Sequence, residues 1–422
     1  MWALRRFRLF WAGDTISAAG GALSAVALPL LALETLHASD TAVGVLRAAQ
    51  TLPFLLFAIP IGLLADRVSR RRLLLAADAV RFPLTAVIAL AGASIPLGGL
   101  VALVFTIGIA TVAYEVAYLS VLPELVSAPP DLPAANRAVE SAHAGASLLG
   151  PAVGGALVAA LSAPLVIALD AVSFAVGAAL TAINRWDSHA RKPAGKETGA
   201  VVAGWNWLRR DRYIRPLTLY LAANNVAAQA FQTALLLFVV RVLDRGAGAV
   251  GLAVAATGGG FLLGALVSPA VARRLGTGRV VIAASLTGAL GIGVVALAGG
   301  LPLVLLGSAL AGAGSGLFNL HSIAIRQAIT PPGLLGRVNA VVKTISYGST
   351  TAGAFAGGVA AAAFGARAVI AAAALVSAAA TACLLTPAIR TLTALPTRPA
   401  ASDGAASGGT ASDGLVRGQP RP

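Results

Sequence analysis

The sequence predicts an all-α membrane protein, with twelve transmembrane helices arranged as two pseudo-twofold-related six-helix bundles. Three observations predict it. The 422 residues are 58% hydrophobic and only 11% charged, with a mean hydropathy of +0.85, too little charge to keep a soluble domain of this size in solution. Apolar runs long enough to cross a hydrocarbon core of about 30 Å, which takes about 20 helical residues, recur twelve times. The second half of the chain also repeats landmarks of the first.

The first six runs cover residues 10–36, 41–64, 73–93, 97–122, 134–161 and 165–183. The opening Arg5, Arg6 and Arg8 resemble the basic start of a signal peptide, but the run that follows is too long for one and carries Asp14. After a polar interval the runs resume at 217–240, 250–272, 280–298, 301–325, 335–364 and 366–385. Residues 1–184 therefore form an N-terminal bundle, 185–215 a cytoplasmic linker, 216–390 a C-terminal bundle and 391–422 a disordered cytoplasmic tail rich in Gly, Ser, Ala and Pro. In the linker, Trp205 and Trp207 mark an interfacial amphipathic helix. The 47 glycines suit close helix contact in lipid.

Charge placement sets the orientation. With the N-terminus inside, 25 of the 31 Lys and Arg fall in cytoplasmic segments. Three lie outside (Arg241, Arg245, Arg367) and three are embedded (Arg47, Arg81, Lys343). That asymmetry is the positive-inside rule, so both termini are expected in the cytoplasm. It also accounts for the net charge of +15 without nucleic acid. Cys383 is the sole cysteine, and the four histidines (37, 143, 189, 321) are scattered, so disulfide and metal sites are not expected. There is no phosphate-cradling loop and no nucleophile–base constellation, so neither a cofactor nor an enzymatic activity is expected.

The duplication is visible in the turns. Gly62-Leu-Leu-Ala-Asp66-Arg67-Val-Ser-Arg70-Arg71-Arg72 recurs, degraded, as Pro269-Ala-Val-Ala-Arg273-Arg274-Leu-Gly-Thr-Gly-Arg279, at an offset of 207. Asn136 with Gly154-Gly155 recurs as Asn339 with Gly357-Gly358, both at an offset of 203, and the preceding Pro129-Pro130 recurs as Pro331-Pro332. Parallel repeats about an axis along the membrane normal imply a mid-membrane cavity between two bundles, as in a transporter.

These residues resemble the major facilitator superfamily. Its loop signature G-x-L-A-D-R-x-G-R-R is matched by Gly62, Leu64, Ala65, Asp66, Arg67, Arg70 and Arg71, with Ser69 where the signature has glycine. Gly150-Pro151-Ala-Val-Gly154-Gly155 is similar to the G-P-x-x-G-G motif of drug–proton antiporters. Leu9-Phe-Trp-Ala-Gly-Asp14-Thr-Ile-Ser17, Leu122-Pro-Glu-Leu-Val126 and Leu169-Asp-Ala-Val-Ser-Phe174 resemble the bacterial branch holding enterobactin exporters and macrolide-efflux proteins. The resemblance spans roughly residues 5–390. It implies export coupled to inward proton movement.

An ionisable group in hydrocarbon costs about 2.5–3.5 kcal/mol on insertion scales, so each needs a partner, water or a task. Asp14, on the span that lines the cavity by family analogy, is the preferred proton carrier, with Glu115 and Asp170 behind it. The resemblance implies that Glu115 otherwise pairs with Arg70 or Arg71; Asp78 is expected to pair with Arg81 three residues on, and Arg47 with Glu34. The repeat maps Asp66 onto Arg273 and Glu140 onto Lys343 with inverted sign. In the superfamily's packing that sets Asp66 against Lys343 and Glu140 against Arg273, an expected interdomain latch. On the seventh span Asn225, Gln229 and Gln232 share a helical face with Asn224 beside it, an expected wet wall that Asn319 and His321 of the tenth span would complete. The alternative for the four amides of the seventh span is inter-helix hydrogen bonding, and for His321 a structural role.

The expected function is proton-driven export of a moderately hydrophobic small molecule (drug, antibiotic or siderophore) by a monomer in a bacterial cytoplasmic membrane. Two alternatives stay open: uptake or facilitated diffusion of a small metabolite, and a non-transporting membrane sensor or partner subunit.

Overall fold

A computed structural model of the chain describes residues 4–65, 67–126, 132–184, 186 and 200–394. Among them every regular element is helical. The N-terminal half contains α1 (Arg5–Leu30), α2 (Asp40–Ala65), α3 (Arg70–Ala91), α4 (Leu97–Leu125), α5 (Leu132–Ala160) and α6 (Ala163–Ile183). A short α7 (Ala200–Leu208) leads into the second half: α8 (Ile214–Leu237), α9 (Ala247–Leu275), α10 (Thr277–Ala296), α11 (Leu301–Ile329), α12 (Pro332–Phe364) and α13 (Ala366–Ala380), ending in the single turn α14 (Pro387–Arg390).

Among the described residues twelve helices are thus long, and eleven of them are also apolar enough to cross a membrane. The exception is α12, whose 33 residues include Lys343, Thr344, Ser346, Ser349, Thr350 and Thr351. Much of α12 faces protein rather than lipid, packing on α8 and α2, so the sequence there need not be uniformly apolar.

Local chemistry sets the boundaries. Asp211 caps α8, its Oδ1 accepting from the backbone N–H of Tyr213 (2.9 Å) and Ile214 (2.7 Å). Prolines at the first positions open α6, α11 and α12. Single glycines join α9 to α10 and α12 to α13: Gly276 at φ 80° and Gly365 at φ 82°. A one-residue reversal needs the left-handed backbone that glycine adopts freely. The loop after α2 therefore shrinks in its repeat to one residue.

The duplication extends to the backbone. α1 ends in a π turn at Leu31–Thr35 and α8 in one at Phe238–Val242, again 207 residues apart. His37 and Asp244, at the same offset, both take positive φ (49° and 50°). Packing repeats as well. α1 lies on α5 and α6, α3 on α4 and α6, and α2 on α4; α8 lies on α12 and α13, α10 on α11 and α13, and α9 on α11.

The halves meet where α2 packs on α12 and α5 on α9. Gly44 faces Gly358 and Gly155 faces Gly251, so closely that a Cβ on Gly44 would stand 2.7 Å from the Gly358 Cα and one on Gly155 2.7 Å from the Gly251 Cα. Gly251 follows Gly44 by 207 residues and Gly358 follows Gly155 by 203, so the two contacts are images of one another. All four glycines lie near the helix ends remote from the termini. On that same face Arg241 crosses to pair with Asp40 and donates to the carbonyl of Ala38 (2.7 Å). Thr51 and Thr351 (3.0 Å) and the stacked rings of Phe54 and Tyr347 (4.9 Å) follow nearer mid-helix. The bundles are sealed at the face away from the termini.

α7 packs on the start of α12, where a Cβ on Gly204 would stand 2.8 Å from the Arg337 backbone. Leu208 is buried while Trp205 is exposed, the two-sided character expected of an interfacial helix. Asp66, Pro129-Pro130, most of the linker and the tail beyond residue 394 lie outside the described residues.

Candidate functional site

Below the seal lies a cavity of about 670 Å³, walled by α1 to α6, with Lys343 of α12 reaching in from the other bundle. Cavities of about 300–1,000 Å³ hold drug-sized molecules. The wall is mostly apolar, but a chain of charged and aromatic groups runs through it.

Asp14 on α1 is 2% exposed. Its Oδ1 accepts from the Tyr114 hydroxyl (3.1 Å), and its Oδ2 lies 2.7 Å from His143 Nε2. The His143 ring stacks on Tyr118, with centroids 5.3 Å apart, and keeps a third of its side chain accessible from the cavity. The Tyr118 hydroxyl points on to Glu140 Oε1 at 3.5 Å. Helical spacing aims these groups together: Tyr114 with Tyr118 on α4, and Glu140 with His143 on α5. The arrangement gives Asp14 an imidazole neighbour that touches the cavity.

Arg81 on α3 pairs with Asp78 one turn earlier, as its spacing predicts. Its guanidinium also sits between two rings, 4.1 Å from Tyr114 and 4.3 Å from Phe174, a double cation–π arrangement. Asp170 on α6 is buried within hydrogen-bond reach of Ser173 Oγ (3.3 Å). It approaches α1 closely because Gly20 has no side chain: a Cβ there would stand 2.6 Å from Asp170 Oδ1.

The three expected proton-coupling residues, Asp14, Glu115 and Asp170, therefore line one cavity together with Lys343. Asp170 reaches the cavity from α6, which packs on both α1 and α3. Glu115 does not pair with Arg70 or Arg71, and the expectation is corrected. Arg70 pairs with Glu124 at the end of α4, and Trp186 Nε1 donates to the other Glu124 oxygen (3.1 Å). Arg71 donates to the carbonyls of Thr181 (3.3 Å), Ala182 (2.8 Å) and Asn184 (3.1 Å). Those are free carbonyls at the end of α6, where a cation is favoured. The loop motif is a staple joining the α2–α3 turn to α4 and α6; Arg67 is exposed and Gly62 has open space around it. Arg47 makes no pair with Glu34, and its buried Nε has no hydrogen-bond partner.

The expected wet wall on α8 is likewise corrected. Asn225 Nδ2 donates to Ser346 Oγ (2.7 Å), and Asn224 Oδ1 accepts from Ser377 Oγ (2.8 Å). Asn224 and Gln232 border a much smaller void of about 50 Å³ inside the C-terminal bundle. Gln229 lines neither cavity, and Asn319 is exposed elsewhere. His321 is held by Ser268 Oγ (3.2 Å) and the Leu317 carbonyl (3.0 Å). Asn224 and Asn225 thus do what polar groups between membrane helices commonly do, which is to bond one helix to the next.

The glycines of the G-P-x-x-G-G segment divide the packing between them. A Cβ on Gly150 would stand 2.4 Å from the Ala22 Cβ and one on Gly154 3.1 Å from the Leu23 backbone, both on α1, while Gly155 faces α9. Of the expected latch, Glu140 receives the Tyr118 hydroxyl and forms no ion pair with Arg273, Lys343 points into the cavity, and Asp66 is outside the described residues. His143 was missed by reading the histidines as scattered. Its signal is a polar stripe at helical spacing on α5, Asn136, Glu140, His143 and Ser147.

A family profile described as transmembrane secretion effector matches residues 2–405. No curated protein matches the sequence. Among solved structures, the fold is similar to the nucleoside transporter NupG (TM-score 0.71, 12% identity, 92% of this chain and 99% of that one). It is similar to a bacterial homologue of the human lysosomal transporter Spinster in an inward-facing, unoccupied conformation (0.70, 14%, 90% and 96%). It is also similar to a bacterial homologue of the iron transporter ferroportin in an inward-facing state (0.67, 16%, 90% and 98%).

Proposed function

The chain belongs to the transmembrane secretion effector family of major facilitator transporters, and from that premise we propose that it exports a moderately hydrophobic small molecule by alternating access, driven by inward proton movement. The observation that carries the reading is Asp14, buried in the cavity wall and hydrogen-bonded to His143 and Tyr114. With both termini in the cytoplasm of a bacterial cell, the conformation is inward-facing, and the glycine seal closes the outer side. A substrate entering from the cytoplasm meets the Asp14–His143 pair. After the bundles rock, the same pair faces outside and takes up a proton. On closure of the inner side the sign-inverted pairs, Glu140 with Arg273 and Asp66 with Lys343, come together as the latch. The branch resemblance makes a drug, antibiotic or siderophore the substrate class.

The test begins with a resistance and accumulation screen in a strain lacking its own efflux pumps. Inside-out vesicles then report whether the substrate found accumulates with a proton gradient and stops when the gradient is dissipated. Movement that ignores the gradient would favour the facilitated-diffusion reading. Inactivity together with a stably bound partner protein would favour the sensor or partner-subunit reading.

A further inference from the structure

Most charges in the cavity wall are already committed. Asp14 is held by Tyr114 and His143, Arg81 by Asp78 and two rings, and Asp170 by Ser173. Two are not. Glu115 on α4 and Lys343 on α12 are both exposed, both line the cavity, and neither forms a hydrogen bond or ion pair with a described residue. They sit on opposite bundles, and each lies within electrostatic reach of the other. The same cavity wall also offers apolar surface, with Leu28, Phe54, Ile88 and Ile107 contributing.

From this placement we infer that the transported molecule is an amphipathic zwitterion, its cationic group taken by Glu115, its anionic group by Lys343 and its apolar body by the wall of the N-terminal bundle. Displacing cavity water from two free charges is unfavourable unless the incoming molecule replaces it with opposite charges. A neutral ligand would leave both unpaired, and a simple cation or anion would leave one. A site built around polar partners rejects the analogue that lacks them more strongly than an apolar wall rejects a change of size. Because the two charges belong to different bundles, a zwitterion also bridges the elements that must move together. The inference rests on the export reading above, since it takes this cavity as the transport site.

A matched series on one rigid scaffold tests it: a zwitterionic fluoroquinolone, its cationic methyl ester, its anionic N-acetyl derivative, and the neutral compound carrying both caps. Equilibrium binding of each to the purified full chain is measured first. The zwitterion is expected to bind at least tenfold more tightly than the other three. Glu115→Gln should erase its advantage over the anion, Lys343→Gln its advantage over the cation, and the exchange Glu115→Lys with Lys343→Glu should restore it. Equal affinity for all four, absence of binding by all four, or an equal loss for all four in both single variants would overturn the inference; the last outcome would assign the two residues to domain closure. Proton-gradient dependence in vesicles is scored separately. Gradient-driven movement without charge preference retains the export reading and removes the zwitterion. Charge preference without gradient dependence does the reverse.

Discussion

Gly155 of α5 rests against Gly251 of α9 so closely that a Cβ on Gly251 would stand 2.5 Å from the Pro151 carbonyl oxygen. The contact repeats on the other side of the pseudo-twofold axis, where a Cβ on Gly358 would stand 2.5 Å from the Gly44 Cα. Two backbone-to-backbone approaches thus hold one face of the molecule shut. In lipid, where no hydrophobic force drives helices together, such small-residue contacts let backbones approach closely and gain van der Waals packing.

Gly251→Leu should wedge this seal apart. Overpacking a close contact typically costs about 1–3 kcal/mol, and here the strain falls only on the conformation in which that face is closed. The expected result is a folded protein in which a cysteine placed at Ala247 reacts with a membrane-impermeant thiol reagent far faster than in the parent. Unchanged labelling would remove the seal from its assigned role.

Asp14→Asn keeps the size of the side chain and its contact with Tyr114 but removes its charge. Gradient-driven transport should fall by at least tenfold, while substrate binding changes little. His143→Gln, which leaves Asp14 without its ring partner, should slow transport less severely. Wild-type gradient dependence in the Asp14 variant would move proton coupling elsewhere.

Arg81→Met should leave Asp78 buried and unpaired, which for a desolvated pair costs about 3–5 kcal/mol. Thermal unfolding in detergent should register a large loss of stability. Asp78→Asn added to Arg81→Met should recover much of it, because no lone buried charge then remains. If the double variant is no more stable than Arg81→Met alone, Arg81 acts mainly through its two aromatic contacts.

Arg70 and Glu124 should be coupled. A double-mutant cycle with alanine at each position is expected to return an interaction of about 0.5–3 kcal/mol. The emission of Trp186, bonded to the same carboxylate, should shift in both single variants. Additive effects would mean that the staple is held by Arg71 alone.

The ion pair at the sealed face, Arg241 with Asp40, should matter less. Arg241 is 43% exposed and Asp40 14%, and pairs open to water contribute about 0–1 kcal/mol, screened by salt. Asp40→Asn should therefore loosen the far face only slightly at low ionic strength and not measurably at high salt, in the same labelling assay.

Hydropathy and repetition made the crossings legible, because lipid forces every backbone polar group into a helix and imposes its length. Even so, α12 is visible more by its place in the repeat than by its apolarity, since one side of it faces protein. The candidate site was legible in part. Asp14, Glu115, Asp170 and Lys343 stood out because charge in hydrocarbon demands a reason. The amides of α8 stood out for the same cause, yet Asn224 and Asn225 bond to neighbouring helices, because a polar stripe does not say which neighbour it faces.

By itself, then, the sequence determined that the chain crosses a membrane as a duplicated helical bundle, because spacing and composition are local properties. Which polar residues share a cavity, which carboxylate takes Arg70 and which face is sealed were decided only by the tertiary structure. Those relations join residues far apart in the chain, 314 positions for Gly44 and Gly358 and 329 for Asp14 and Lys343, and depend on how helices rotate about their axes. No local pattern encodes that rotation; it is set by how closely glycine backbones can approach.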